Sequence, residues 1–304
     1  MPACVTREWG FDVASAEFAP LGAGSYHWVL TDAEGSRAFA TVDDLDVKSW
    51  LGDTREAVFD GLEAAFDTAA SLRAQGLDFV VAPIPTHRGE NCVRVAPRYA
   101  VALFPFVDGR ASDFGEHDPA DLPAVAALLA ELHGAQPGPR TRTAGLELPG
   151  RRHIESALGE LREPWPGGPY AERAREALAA HAADVADLLE LADRLAASIA
   201  ARGAGWVVTH GEPHAANVMH TGDGLALIDW DTVALAPPER DLWMVAGAAA
   251  DADAEAIDYF RLMWDLKDLA EWLDIFRRPH EDTDDTARSY RGLREVVASR
   301  DRWL

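Results

Sequence analysis

The sequence predicts an α+β protein of two unequal lobes. A small, mostly β lobe covers 1–108 and a larger, mostly α-helical lobe covers 109–304. Three observations predict it. Short apolar, β-branched runs broken by Pro and Gly fill the first hundred residues around one helical pattern. After Val107-Asp108-Gly109-Arg110 the apolar spacing turns helical. A short apolar run, WVVTH at 206–210, then interrupts the helices and leads into the polar loop GEPHAANVM.

The elements follow in order. LGAGSYHWVLTD (21–32) and GSRAFATVDD (35–44) read as two strands joined by a turn at Asp32–Gly35. Asp53 with Glu56 has capping-box spacing ahead of Phe59, Leu62, Phe66 and Ala69, and Gly76 ends that helix. FVVAPI (79–84), NCVRVA (91–96) and YAVALFPFV (99–107) are strand-like. Helical spacing covers 119–134, roughly 151–162 and 170–202. VMH (218–220) and LALIDWD (225–231) flank TGDG as a hairpin. Helices are expected at about 239–250 and 252–276, and a last one ends in Trp303 and Leu304.

Composition narrows the function. A net charge of −23 argues against nucleic acid and an anionic membrane surface, because phosphate binding needs clustered Lys and Arg. Such charge keeps a protein soluble and also draws cationic small molecules. Two cysteines, Cys4 and Cys92, imply no disulfide framework and suit a reducing cytoplasm. The N-terminus reads as no signal peptide, and no apolar run is long enough to span a bilayer. Lysine occurs at Lys48 and Lys267 alone.

The chemistry concentrates at 210–231. The carboxylate of Glu212 is followed five residues later by the carboxamide of Asn217; twelve beyond that comes Asp229, then Asp231. Phosphoryl transfer from a nucleotide uses such groups. One carboxylate orients the attacking hydroxyl and takes its proton, while an amide and a carboxylate hold Mg²⁺, a hard cation that takes oxygen ligands. The hairpin between them brings the loop and Asp229 back together.

HGxxxxxN followed by IDxD, behind a small β-rich lobe, resembles the aminoglycoside phosphotransferase and choline kinase superfamily, which shares the protein-kinase-like fold. HGEPHAANVM…LIDWDTVALAPPERDLW is similar to its spectinomycin and hygromycin phosphotransferase branch. The resemblance implies a small-molecule kinase using ATP or GTP with Mg²⁺. It puts Glu212 where the family usually has its catalytic Asp, and Asn217 and Asp229 at the metal positions. Asp231 faces metal or substrate, His210 braces the loop, and Asp241 corresponds to an Asp that bonds the loop's backbone. Residues 1–108 become a nucleotide lobe, and 109–304 carry the catalytic loop and acceptor site.

Two departures stand out. Glu212 is one methylene longer than Asp, with a similar unperturbed pKa. Relatives carry a strand lysine in a Phe-x-Lys pattern, paired to a helix glutamate; here Thr41 stands in that place after Phe39. Lys48 either folds back towards the phosphates or is a solvated loop lysine, and Glu56 and Glu63 are the helix carboxylates that would face a lysine.

Gly22, Gly24 and Ser25 form a candidate phosphate loop or a plain turn. Adenine would meet main-chain groups near Phe106 and Val107, because Pro105 has no N–H. Asp258, Asp265 and Asp268 share one side of a helix, either to hold ammonium groups of an aminocyclitol or as a solvated acidic face. Three functions stand together: a kinase of an aminoglycoside-like or other natural-product acceptor, a kinase of a metabolite such as choline, an amino alcohol or a sugar, and a pseudokinase that binds without turnover.

Overall fold

Pro2 opens the first helix, α1 (Pro2–Trp9), at a position where its missing N–H costs nothing; Gly10, at φ +69°, closes it by donating to the Thr6 carbonyl. The structure is a computed structural model that describes residues 1–21, 25–48, 50–203, 205–248 and 252–303. After α1 come β1 (Val13–Ala19), β2 (Ser25–Asp32), β3 (Arg37–Asp44), α2 (Arg55–Ala74), β4 (Val93–Val95), β5 (Tyr99–Pro105), β6 (Gly109–Ala111) and α3 (Leu122–His133). Then follow α4 (Arg151–Gly159), α5 (Ala171–Ala180) and α6 (Ala182–Arg202). The chain returns to strands with β7 (Val207–Thr209), β8 (Val218–Thr221), β9 (Gly224–Leu227) and β10 (Ala234–Ala236). It ends in α7 (Glu239–Leu242), α8 (Ala254–Arg277), α9 (Asp284–Val297) and α10 (Arg300–Trp303).

Two compact units result. The first joins 1–144 to 205–252, so the segment bearing Glu212 and Asp229 belongs to the unit of the N-terminal sheet. That sheet is antiparallel, in the order β1-β2-β3-β5-β4. Alternation along β3 sends Ala38 and Ala40 to a core with Val5, Trp9, Leu30 and Leu103. The opposite face carries Thr41 and Asp43, which pair across to Ala102 and Ala100; those two alanines pack with Leu62 and Phe66 of α2. Each fully buried leucine contributes about 1.5–3 kcal/mol. The hairpin β8–β9 adds β6 at its edge, and β7 pairs with β10.

The second unit, 145–204 with 253–304, is helical. Leu262, Leu266, Leu269, Leu273 and Phe276 recur along α8 at spacings of three and four, and all are buried with Leu188 and Leu293. Asp253 caps α8 by accepting from the N–H groups of Glu255 and Ala256.

Several expectations need correction. The strand expected at 79–84 makes only an isolated parallel bridge from Val80 to Leu227, because Pro83 and Pro85 remove ladder donors. The stretch 170–202 is two helices broken at His181. Thr54, not Asp53, caps α2. Helix α1 and strand β1 leave little trace in the sequence: one is short, and the other is exposed on most positions and so lacks an apolar rhythm.

Candidate active site

The loop after β7 is held by its own backbone neighbours. His210 is fully buried; its Nε2–H donates to the Ile228 carbonyl at 2.8 Å, and its Nδ1 accepts from the Glu212 N–H at 3.3 Å. Those two partners set the tautomer. Trp230 packs edge-on against the ring at 4.8 Å, and the Thr232 hydroxyl donates to the His210 carbonyl at 2.7 Å. Gly211 sits at φ +100°, a conformation residues with a side chain rarely adopt, and a Cβ there would strike the guanidinium of Arg240, so the turn favours glycine. Arg240 in turn donates to the Thr209 hydroxyl at 2.8 Å and to the Thr232 carbonyl at 2.9 Å.

Asp241 closes the arrangement from α7. Its side chain is fully buried; Oδ2 accepts from the His210 N–H at 2.9 Å and from His133 Nε2 at 3.0 Å, while Oδ1 accepts from the Gly211 N–H at 2.6 Å. Burial alone would raise this carboxyl, but the His133 bond, then the charges of His133, Arg240 and His210, hold it below the usual range.

Hairpin register brings the remaining groups to one end. Val218 pairs with Leu227, and the Ile228 N–H donates to the Asn217 carbonyl at 3.0 Å, so Asn217 and Asp229 lie just past the same closing pair. The Asn217 amino group donates to the Glu212 carbonyl at 2.9 Å and lies 3.3 Å from His214 Nε2, which leaves the amide oxygen as its other polar atom. Asp229 adopts φ +64°, ψ +66°, a left-handed conformation that Asp tolerates better than most residues. It keeps a solvent-accessible face, yet crowding by protein atoms and then the charge of Asp231 push its carboxyl up to about 7; Glu212 and Asp43 add to the push and Lys48 opposes it.

Lys48 is not a solvated lysine. It is 3% exposed; its ammonium lies 2.6 Å from Asp231 and 3.1 Å from Asp43, with the Trp50 ring 5.5 Å away. Burial would strip its proton, but the charges of Asp231, Asp43 and Asp229 outweigh that and raise its pKa. Asp231, offered to metal or substrate by the resemblance, is buried with its carboxylate on Lys48. Asp43, which no sequence motif marks, stands two residues beyond Thr41 and so on the same strand face. Neither Glu56 nor Glu63 meets Lys48: Glu56 pairs with Arg94 at 3.1 Å and Glu63 with Arg140 at 3.8 Å.

The other expected residues fall as follows. Gly22 and Gly24 lie outside the described residues. The Ser25 hydroxyl donates to Asp43 at 2.6 Å, and Thr41 reaches the same carboxylate at 3.4 Å. Phe106 and Val107 follow β5, with the Arg37 guanidinium 3.8 Å over the Phe106 ring. Asp258, Asp265 and Asp268 lie on α8 in the second unit; Asp265 is 3.8 Å from Arg302, and burial raises its carboxyl. Beside Ser25 a surface hollow of about 360 Å³ is lined by Phe18, Leu21, Tyr26 and Val47; it includes none of Glu212, Asn217 and Asp229.

The site carries a pH signature. Burial pushes the His210 and His214 rings down, His214 to about 4, so both fold neutral. Below about 6.5 the unfolded imidazoles take protons that the folded ones refuse. Stability from these rings is therefore whole above about 6.5 and falls towards pH 4. Asp229 acts oppositely, because its folded carboxyl binds a proton more readily than an unfolded one, so the informative quantity is a difference. Urea unfolding should show the wild type losing stability relative to His214→Gln as pH drops from 6.5 to 4; a constant gap would contradict the assignment.

The description "phosphotransferase enzyme family", abbreviated APH, matches residues 18–276. The chain belongs to this family. As a phosphotransferase of the family it is an enzyme, a small-molecule kinase acting on a hydroxyl group. It is 31% identical over 252 residues to Protein StrN of Streptomyces griseus, spanning 78% of this chain and 77% of that protein. Its fold is similar to spectinomycin phosphotransferase APH(9)-Ia in complex with ADP and spectinomycin, with TM-score 0.74 and 15% identity over 99% of this chain and 97% of that one. It also resembles a microcompartment-associated aminopropanol kinase, with TM-score 0.65 and 15% identity over 99% and 96% of the two chains. Among the described residues no helix of the phosphotransferase is long and apolar enough to cross a membrane.

Proposed function

We propose that this phosphotransferase moves the γ-phosphoryl of ATP or GTP, with Mg²⁺, to a hydroxyl of an aminoglycoside- or aminocyclitol-like, or other natural-product, acceptor that carries positive charge. One observation carries the reading: a single hairpin register brings Asn217 and Asp229 to the loop that bears Glu212, and Asp241 braces that loop's backbone. The solved relative holding ADP and spectinomycin supports nucleotide and aminocyclitol as ligand classes, and the net charge of −23 favours a cationic acceptor.

The donor set fits Mg²⁺. Among the described residues no cage of three or more His, Cys, Asp or Glu side chains is found, but the amide oxygen of Asn217 with the carboxylates of Asp229 and Asp231 are hard donors. Magnesium beside nucleotide phosphates needs only one or two protein carboxylates. When bound it would neutralise charge on the phosphate oxygens. Glu212 accepts the acceptor's hydroxyl proton; that oxygen forms the bond to the γ-phosphorus, and the bond to the bridging oxygen breaks with the nucleoside diphosphate leaving. Residues 1–108, with Gly22, Gly24, Ser25, Thr41, Lys48, Phe106 and Val107, serve the nucleotide. Residues 109–304 serve catalysis, with Asp258, Asp265 and Asp268 offered to the acceptor's ammonium groups.

A second reading, an amino-alcohol or other metabolite kinase, is favoured by the likeness to the aminopropanol kinase and uses the same groups. Purified protein incubated with Mg²⁺, ATP or GTP, and a panel of aminoglycosides, aminocyclitols and amino alcohols should give one product heavier by a phosphoryl group. Asp229→Asn should lower that turnover by about a thousandfold. Ligand-induced thermal stabilisation without product across the panel would instead favour a binding protein.

A further inference from the structure

A lysine is missing from the strand position at Thr41, and the helix carboxylates Glu56 and Glu63 are engaged with Arg94 and Arg140. In their place stands a buried chain of charges. The Ser25 hydroxyl, at the head of β2, donates to Asp43 at 2.6 Å; Asp43 lies 3.1 Å from the Lys48 ammonium, which lies 2.6 Å from Asp231. Both Lys48 and Asp43 are nearly inaccessible, at 3% and 2% exposure. The turn that carries Lys48 is itself pinned: Asp44 accepts from Arg98 at 2.6 Å, Asp46 pairs with Arg55 at 2.6 Å, and the Asp46 N–H donates back to Asp44 at 3.1 Å. A long, flexible side chain is thus fixed between Ser25 at the head of β2 and the segment just past β9 that carries Asp229 and Asp231.

We infer that Lys48 and Asp43 together replace the strand lysine and helix glutamate, with Lys48 meeting the nucleotide's phosphates and Asp43 acting as the positioning residue that holds it there. This rests on the nucleotide-kinase reading above. The geometry favours Asp43 over Asp231 as the anchor. Asp43 lies on the sheet, tied by Ser25 and by its place opposite Ala100 in β5, whereas Asp231 lies in the 3-10 turn after β9. Among the described residues it is also the only carboxylate of β3 or α2 within 4 Å of that ammonium. The ion pair has moved from strand-to-helix to strand-to-following-turn, and Thr41, on the same face as Asp43, marks the vacated place.

The test is calorimetric binding of a non-hydrolysable ATP analogue with Mg²⁺ to the full chain. Lys48→Met and Asp43→Asn are each expected to weaken binding by about tenfold to a hundredfold, the worth of a charge-assisted hydrogen bond. The double variant should bind no more weakly than Lys48→Met, because Asp43 acts through the lysine. Glu56→Gln and Glu63→Gln should stay within about twofold of wild type. Thr41→Lys combined with Lys48→Met returns a lysine to the strand and should recover binding, unless Asp43→Asn is added; circular dichroism checks that each variant is folded. Asp43→Asn at wild-type affinity, or weakening by Glu63→Gln instead, overturns the proposal and leaves the nucleotide-kinase reading standing. A wild-type protein that binds no nucleotide overturns that reading, and this proposal with it.

Discussion

Alanine in place of Asp241 is expected to destabilise the first unit by about 3–5 kcal/mol, the cost of breaking a buried charged network from one side. Two backbone N–H groups, of His210 and Gly211, and the ring of His133 lose their acceptor inside a fully buried site. Arg240 loses its neighbouring negative charge. Asn at the same position keeps an acceptor for one N–H, so it should cost roughly 1–3 kcal/mol. Denaturant unfolding of the two variants reads the ordering directly. If Asp241→Ala unfolds like wild type, the loop is held by something other than this carboxylate. Because the same network positions Glu212, phosphoryl transfer by the alanine variant should fall as well, even where the protein remains folded.

Glu212→Gln is expected to lower kcat by about 10²–10⁴-fold with little change in KM for the acceptor, the range assigned to loss of a general base. Gln is nearly isosteric and can still hydrogen-bond a hydroxyl, so the ground-state complex survives while the proton has no place to go. Glu212→Asp is the informative companion. The backbone here is fixed by His210, Asn217 and Asp241, so a carboxylate shortened by one methylene cannot follow its substrate. A fall in kcat for Asp as well would mean that the longer side chain is built into this loop. A large rise in KM for Gln with kcat unchanged would assign Glu212 to acceptor binding instead.

Much of this was legible in the chain because it is local. The strand pair β2–β3, helix α2 and the hairpin β8–β9 follow from alternation, apolar spacing and a TGDG turn, all read over a dozen residues or fewer. Spacing from Glu212 through Asn217 to Asp229 was readable for the same reason, since one hairpin of fixed register joins them. The failures share a cause too. Residues 79–84 have strand composition, but two prolines leave them a single bridge. Helix α5 parts from α6 at His181, whose backbone leaves the helical region while its ring turns to Asp184 at 3.0 Å.

Charge pairing was the part that sequence could not supply. Lys48 and Asp231 are separated by 183 positions, and composition says that a lysine in a loop is solvated. Asp43 was visible as one of several acidic residues in VDDLD, with nothing to mark it as the one facing inward except the strand's alternation. By itself the sequence indicated the family and the elements that carry its motif, because backbone propensity and turn geometry act between near neighbours. Only the tertiary structure decided which carboxylates share the buried lysine: the cost of burying a charge depends on what lies within a few ångströms in space, and in this fold those neighbours come from distant parts of the chain.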